Sequence, residues 1–364
     1  MGKRLGTVLV TGGAGFIGAH LVDKLVEMGC NRIRVIDSME KSSHPIPPQY
    51  MITDGWVDYT FARVGDRRLS YKHLLEDVET VFYLASKVGP RQSMKETGDF
   101  FENNVSDLAI FLQNLDRWGK VKRIIYSGSM APYGEGEYKC KQCRTYTYPE
   151  SRTKVAIVCP ICRRVMSALP LKEDARLRPI SFYGQTKMMQ EQMLTLYAET
   201  HHIEFVSLRL FSVYGPRQAV GNPYGGPIPI WIYKMLNGEP LVVNEDGNQS
   251  RDFVHVKDVV SIMCHLATHP DHRRIDVYNC GTGVSTSINE VAGWLQKLTG
   301  TASGVTYPNR RHVLPGDIRH SVCNNSKLHK VLPKEWEWTS LPHGLANTLE
   351  WYGYTTLHEH LPTL

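Results

Sequence analysis

Tyr183 and Lys187 stand four residues apart in the run Tyr183-Gly184-Gln185-Thr186-Lys187. On a helix such a pair shares one face, so the Lys187 ammonium can sit beside the Tyr183 phenol. A neighbouring cation stabilises phenolate and lowers a pKa of about 10 toward the range useful to a base. The spacing alone is common in proteins. Ser129 makes it more specific: it ends Tyr126-Ser127-Gly128-Ser129, small residues that follow an apolar run, and its hydroxyl can hold the same substrate oxygen. Ser129, Tyr183 and Lys187 are therefore the candidate groups for moving a proton on and off a hydroxyl.

A second constellation could hold a cofactor. Thr11-Gly12-Gly13-Ala14-Gly15-Phe16-Ile17-Gly18 follows the β-branched run Thr7-Val8-Leu9-Val10 and opens a helical pattern, Ile17, Leu21, Leu25 and Met28. Gly12, Gly15 and Gly18 permit a tight turn, close approach of backbone to a pyrophosphate, and close helix–strand packing. Asp37 lies 19 residues past Gly18, at the end of the next apolar run. A carboxylate there accepts from ribose hydroxyls and repels a 2′-phosphate, which predicts NAD rather than NADP. Arg34 and Lys41 are the nearby cations that argue the other way. Gly65-Asp66 is a candidate adenine contact, with an ordinary turn as the alternative.

Cys140-x2-Cys143-x15-Cys159-x2-Cys162 is a third pattern. Two such knuckles can present four thiolates tetrahedrally, as structural zinc requires. Rubredoxin-type iron and a pair of disulfides are the alternatives. Four protein ligands close the coordination shell, so the expected role is structural. Cys30, Cys264, Cys280 and Cys323 are isolated and are expected in the core. His201-His202 suit the end of a helix, where charge complements the dipole.

The elements that must position these groups form an α/β alternation. Apolar runs at 7–10, 33–36, 81–84 and 123–126 each give way to small residues, with helical patterns between them. This predicts a doubly wound parallel sheet with ligands at the strand C-termini. Residues 135–178 break the rhythm and read as an insertion. A helix is expected from about 184 to 200 and a strand at 205–211. The first domain then runs 1–215. A smaller substrate lobe occupies 216–364, with part of 250–280 returning to the first domain. The 364 residues are 42% hydrophobic and 21% charged, which excludes disorder, collagen and coiled coil. The net charge of +6 is spread without a run of five like charges, so it suits an anionic small molecule at least as well as nucleic acid. No stretch approaches the roughly 18–20 apolar residues of a membrane span, and a cytoplasmic protein is expected.

Together these motifs resemble the extended short-chain dehydrogenase/reductase family of nucleotide-sugar-modifying enzymes, from about residue 6 to 330 apart from the insertion. The resemblance implies a Rossmann-like domain with Gly12, Gly15, Phe16, Ile17, Gly18, Asp37, Asp66, Leu84, Ala85, Ser86, Asn104, Tyr183 and Lys187 around NAD. It implies Ser129, Tyr183 and Lys187 as the catalytic triad. It further implies nucleotide-sugar contacts from Lys87, Arg91, Ser93, Ser129, Ser212, Asn222, Arg251 and Asp317. The family's dehydratases follow the Ser129 position with Asp-Glu, whereas this chain has Met130-Ala131, which disfavours dehydration and points to epimerisation or ketoreduction. The four-cysteine insertion resembles a subgroup that includes dTDP-L-rhamnose 4-epimerases. The implied activity is a nucleotide-sugar 4-epimerase, on a homodimer formed through helices near 100–118 and 184–200. A 4-ketoreductase or dehydratase is the alternative, and a non-catalytic scaffold binding nucleic acid or protein is less well supported by the motifs.

Overall fold

Residues 5–40, 44, 55–149, 155–220, 225–269, 273–301, 304–314 and 316–354 are described by a computed structural model. Thr7–Thr11 (β1), Arg32–Asp37 (β2), Val57–Phe61 (β3), Val78–Tyr83 (β4), Arg123–Ser129 (β5), Glu204–Leu210 (β6) and Ile275–Cys280 (β7) form one sheet. Their order is β7-β6-β5-β4-β1-β2-β3, and every pairing is parallel. The order reverses between β1 and β4, so the loops leaving those two strands diverge and open a cleft at their C-terminal ends. This is a Rossmann-like doubly wound sheet.

Alternation along each strand feeds two cores. Val8 and Val10 of β1 point to one face and pack with Leu21, Val22 and Leu25 of the Phe16–Glu27 helix (α1). Val259, Ile262 and Met263 of the Val256–Thr268 helix complete that layer. Leu9 points to the other face, with Leu108, Phe111 and Leu115 of the Asp107–Trp118 helix (α2) and Leu194 and Ala198 of the Phe182–His201 helix (α3). Each fully buried Leu or Val contributes about 1.5–3 kcal/mol relative to exposure, so both helical layers are firmly held.

The insertion is a small antiparallel unit. Tyr138–Lys139 pairs with Tyr146–Thr147 on one side and Ser167–Ala168 on the other. Its small hydrophobic core is Tyr138, Cys140, Cys159 and Met166. A separate core gathers Ile228, Trp231, Ile232, Val291, Leu295, Leu345 and Leu349 from the C-terminal part of the chain. The four remaining cysteines, Cys30, Cys264, Cys280 and Cys323, are buried and unbridged.

Candidate active site

A cleft of about 800 Å³ runs from the glycine turn, past the end of β5, to Gln249, Arg251 and Asp317. At its first end Gly12 has φ +70°, a left-handed conformation that costs glycine little. A Cβ on Gly18 would stand 2.1 Å from the Gly12 carbonyl oxygen, so α1 can approach β1 only with glycine there. The Thr11 hydroxyl accepts from the N–H groups of Leu84 and Ala85 at 3.0 Å, fixing the ends of β1 and β4 together. Asp37 is buried at the end of β2. Its Oδ2 accepts from the Ala14 N–H at 3.0 Å and its Oδ1 from the Met39 N–H at 2.9 Å. His44 Nε2 also lies 3.2 Å from Oδ1, so these contacts fix the carboxylate at the cleft wall and leave its remaining acceptor capacity for a ribose. Arg34 faces away: its Nη1 donates to the Leu74 carbonyl at 3.0 Å and pairs with Asp77. Lys41 lies outside the described residues. The cradle and carboxylate fit an adenine dinucleotide without a 2′-phosphate.

The proton-moving groups converge in the middle of the cleft. Ser181 caps α3, its Oγ accepting from the Gly184 N–H at 3.1 Å, and this sets the first turn that carries Tyr183. Tyr183 and Lys187 both lie on the buried face of α3. The Ser129 hydroxyl, at the end of β5, lies near the Tyr183 phenol and accepts from the Ala131 N–H at 3.1 Å. Burial pushes that phenol above its ordinary pKa, and the neighbouring Ser129 hydroxyl opposes the rise. Lys187 contributes less to this balance than its spacing predicts. Its Nζ turns to β5, donating to the Ser127 carbonyl at 2.8 Å and lying 4.4 Å from the Tyr126 ring centroid. Burial lowers its pKa to about 7, with Glu191 opposing. As the side chains sit, the hydroxyl of Ser129 is the phenol's local stabiliser.

Glu191 belongs to the scaffold one turn further along α3. Arg209 of β6 donates to Glu191 from Nε at 3.0 Å and from Nη2 at 2.6 Å, and the Ser207 hydroxyl donates to the same carboxylate at 2.7 Å. This buried bidentate pair pins α3 to the sheet directly behind Lys187.

Several expected contacts are placed elsewhere. Asn104 is fully buried, and Asn103 lines the cleft instead. The cause is a π-helical turn at Glu102–Ser106, which swings Asn104 inward. Its carboxamide bonds Lys87 and Thr186, so it acts on the site through them. Asp66 also stands off the cleft wall, its carboxylate held by Arg68 at 2.7 and 3.0 Å, while Arg63 and Val64 take the wall position. Ser93 is buried beneath the site, where its Oγ accepts from the Tyr183 N–H at 2.9 Å. It positions Tyr183 and is shielded from a bound sugar. Lys87 does reach the cleft, but its ammonium is shared by Glu96, Glu40 and Asp99 at 3.0, 3.5 and 3.6 Å. Arg91, Ser212, Leu84, Ala85 and Ser86 line the cleft as expected. Asn222 lies outside the described residues.

At the far end Arg251 and Asp317 meet, Nη2 to Oδ1 at 2.6 Å. Sequence reasoning missed Gln249 beside them. Its Nε2 donates to the Asn244 carbonyl at 2.9 Å, and its buried Oε1 has no partner among the described residues while the residue lines the cleft. Such an acceptor suits a base or ribose N–H or O–H donor. The only sequence signal was its place two residues before Arg251, in a polar loop whose direction the sequence does not reveal.

Outside the cleft, the sulfurs of Cys140, Cys143, Cys159 and Cys162 all lie within 4.8 Å of one another. Cys140 and Cys162 are 3.6 Å apart, too far for a disulfide, and the Cys143 N–H donates to the Cys140 sulfur at 3.4 Å. A backbone N–H aimed at a sulfur stabilises thiolate, the ligand form.

With this geometry, comparison with known proteins decides the family. The profile of the NAD dependent epimerase/dehydratase family matches residues 8–157 and 164–281. The chain belongs to that family. The dTDP-L-rhamnose 4-epimerase of Burkholderia thailandensis is 29% identical, over 94% of this chain and 94% of that protein. Among solved structures, the UDP-N-acetylglucosamine 4-epimerase from Methanobrevibacter ruminantium M1, in complex with UDP-N-acetylmuramic acid, superposes with TM-score 0.76 at 28% identity, covering 96% of this chain and 99% of that one. MoeE5 in complex with UDP-glucuronic acid and NAD gives 0.75 at 29%, covering 95% and 98%. This family member is thus an NAD-dependent enzyme of the nucleotide-sugar epimerase type.

Proposed function

We propose that the protein is a nucleotide-sugar 4-epimerase, with a dTDP-6-deoxy-L-hexose such as dTDP-L-rhamnose as the preferred substrate. The observation that carries the reaction type is the wall next to Ser129. Met130 and Ala131 line the cleft there, and neither side chain can move a proton. Tyr183 is left as the acid/base beside the reacting carbon, which suffices for reversible oxidation at one carbon. The substrate assignment is supported by the match to the rhamnose 4-epimerase along nearly its whole length.

NAD, when bound along Gly12–Gly18 and Asp37, supplies a hydride acceptor that returns the hydride. The remaining work falls to the chain. Ser129 and Tyr183 hold the sugar 4-hydroxyl, and Tyr183 takes its proton as the C4 hydride leaves. The keto sugar turns in the cleft, and Tyr183 returns the proton once the hydride has reached the other face of C4. Lys187, anchored on Ser127, holds the nicotinamide ribose. Arg251 and Asp317 hold the diphosphate and ribose of the substrate, with Lys87, Arg91 and Ser212 near the sugar and phosphates.

The same reading places structural zinc on Cys140, Cys143, Cys159 and Cys162, supported by the clustered sulfurs. It also has two chains pairing through the outer faces of α2 and α3, where Trp118 and Leu196 are exposed. Among the described residues no helix is long and apolar enough to cross a membrane. A cytoplasmic enzyme is consistent with this.

Incubation with dTDP- and UDP-sugars in D₂O without added cofactor, read by NMR and mass spectrometry, tests the reaction. A C4 epimer free of deuterium is expected. Deuterium at C3 or C5, or loss of water, would replace the reading with carbanion chemistry. Turnover only after NAD(P)H is added would replace it with ketoreduction.

A further inference from the structure

The cysteine insertion joins the main domain beside one short segment of the second lobe. On its entry side, Glu135 is 4% exposed, and its two carboxylate oxygens accept the backbone N–H of Arg319 at 3.1 and 3.0 Å. The Tyr138 hydroxyl donates to the same carboxylate at 3.2 Å. On its exit side, the Leu171 N–H donates to the Val322 carbonyl at 2.9 Å, and the Asn324 N–H donates to the Leu171 carbonyl at 2.7 Å. Both roots of the insertion therefore grip residues 319–324.

Arg319 passes that grip to the cleft. While its N–H is held by Glu135, its carbonyl accepts from the Ser250 N–H at 3.0 Å and from Arg251 Nη1 at 3.3 Å. The second arm of Arg251 pairs with Asp317, two residues before Arg319. One residue thus separates a buried carboxylate at the base of the insertion from the cleft guanidinium. The insertion's own core reaches the same place. Tyr138 packs with Cys140 and Cys159, and its ring lies 6.3 Å from that of His320, centroid to centroid. Burying a carboxylate is costly unless it is well bonded, and here it is bonded to a backbone amide of the substrate lobe.

We propose that the cysteine insertion is a positioning device for the Arg251–Asp317 pair, with Glu135 as the positioning residue, so that a metal-loaded insertion tightens the grip on a nucleoside diphosphate. This rests on the nucleotide-sugar reading above. It also implies a reciprocal effect, because coupling between two ligands acts equally on both: bound nucleoside diphosphate slows loss of the metal.

The test compares wild type with Glu135→Gln and the milder Tyr138→Phe, titrating UDP and dTDP by calorimetry and measuring kcat, KM and NAD content. For Glu135→Gln the dissociation constant and KM rise roughly tenfold, the scale of one charge-assisted hydrogen bond, while kcat and NAD content hold. Tyr138→Phe shifts affinity in the same direction by less. In wild type, metal release to a chromogenic chelator slows when the better-bound nucleotide is present. Unchanged affinity in Glu135→Gln, or release indifferent to nucleotide, overturns the proposal. So does a parallel fall in kcat and NAD content, which marks general loosening. Wild type that binds neither UDP nor dTDP overturns the nucleotide-sugar reading itself, and this proposal with it.

Discussion

Asn104 Nδ2 donates to Thr186 Oγ1 at 2.9 Å, tying the π-helical turn before α2 to the helix that carries Tyr183 and Lys187. Thr186 in turn donates to the Tyr183 carbonyl at 2.9 Å, so the bond reaches the residue that holds the phenol. With Asn104 Oδ1 accepting from the Lys87 N–H at 2.7 Å, one carboxamide sets both the sugar side and the acid/base side of the cleft. Asn104→Leu leaves these buried groups unpaired and should cost about 1–3 kcal/mol of stability per orphaned group. Thermal melts read the loss, and an unchanged melting temperature would show the carboxamide to be dispensable.

Tyr183→Phe removes the proton-transfer group and spares its ring contact with Phe100. Turnover should fall by about 10²- to 10⁴-fold while the protein still retains its dinucleotide. Single-turnover kinetics together with NAD content after gel filtration measure both. Activity near wild type would remove Tyr183 from its assigned role.

Glu191 and Arg209 are a buried pair, so truncating one member strands the other. Glu191→Leu should destabilise the fold by about 3–5 kcal/mol, as seen in chemical denaturation. The double variant Glu191→Leu/Arg209→Met should regain much of that loss. If the single variant is as stable as wild type, the pair is not what anchors α3.

The four-cysteine cluster predicts about one zinc per chain in purified protein. Cobalt substitution should give the absorption of a tetrahedral thiolate site, and Cys143→Ser should lower both metal content and melting temperature. A red protein carrying iron would assign the site to the other metal.

His255 is 1% exposed, and burial, reinforced by Lys257 and His20, pushes its imidazole down to about 3 from 6.5. Between those values the unfolded chain binds a proton that the folded chain refuses. Stability from this residue is therefore complete above 6.5 and drains as pH falls toward 3. The advantage of wild type over His255→Gln, from urea denaturation at about pH 7.5 and about pH 5, should shrink at the lower pH. An advantage that grows on acidification would mean the imidazole is charged in the fold.

Much of this architecture was legible from local pattern. The glycine turn, Asp37 and the Tyr183/Lys187 spacing are short-range features whose geometry follows from one strand, one turn or one helix. The α3 helix is expected at about 184–200 and is observed at Phe182–His201, its start set by the Ser181 cap. What escaped the sequence depends on longer-range choices. The π-helical turn shifts the register of one helix by a residue, and Asn103 rather than Asn104 faces the cleft. Ser93 carries a side chain suited to a sugar, and only the packed structure shows it occupied by the Tyr183 backbone. Arg34 raised a question of cofactor type that the direction of one side chain answers. The Lys187 ammonium is aimed by its contacts with β5, and the i, i+4 rule does not specify that aim.

The position of β7 bears on how the molecule is made. Its residues, Ile275–Cys280, come after a long excursion of the chain, yet they pair with β6 from some seventy residues earlier. On a ribosome the dinucleotide half emerges first, with the β6 edge uncovered until synthesis has passed position 280. An unpaired edge in a nascent chain is a template for wrong partners. Non-local strand pairing is also slow to form, because the loop must close before its contacts repay it. Polar residues on β6 itself, Ser207 and Arg209, are already engaged by Glu191 of α3, which precedes them in the chain. The early-arriving helix can thus secure that strand while it waits for its last neighbour.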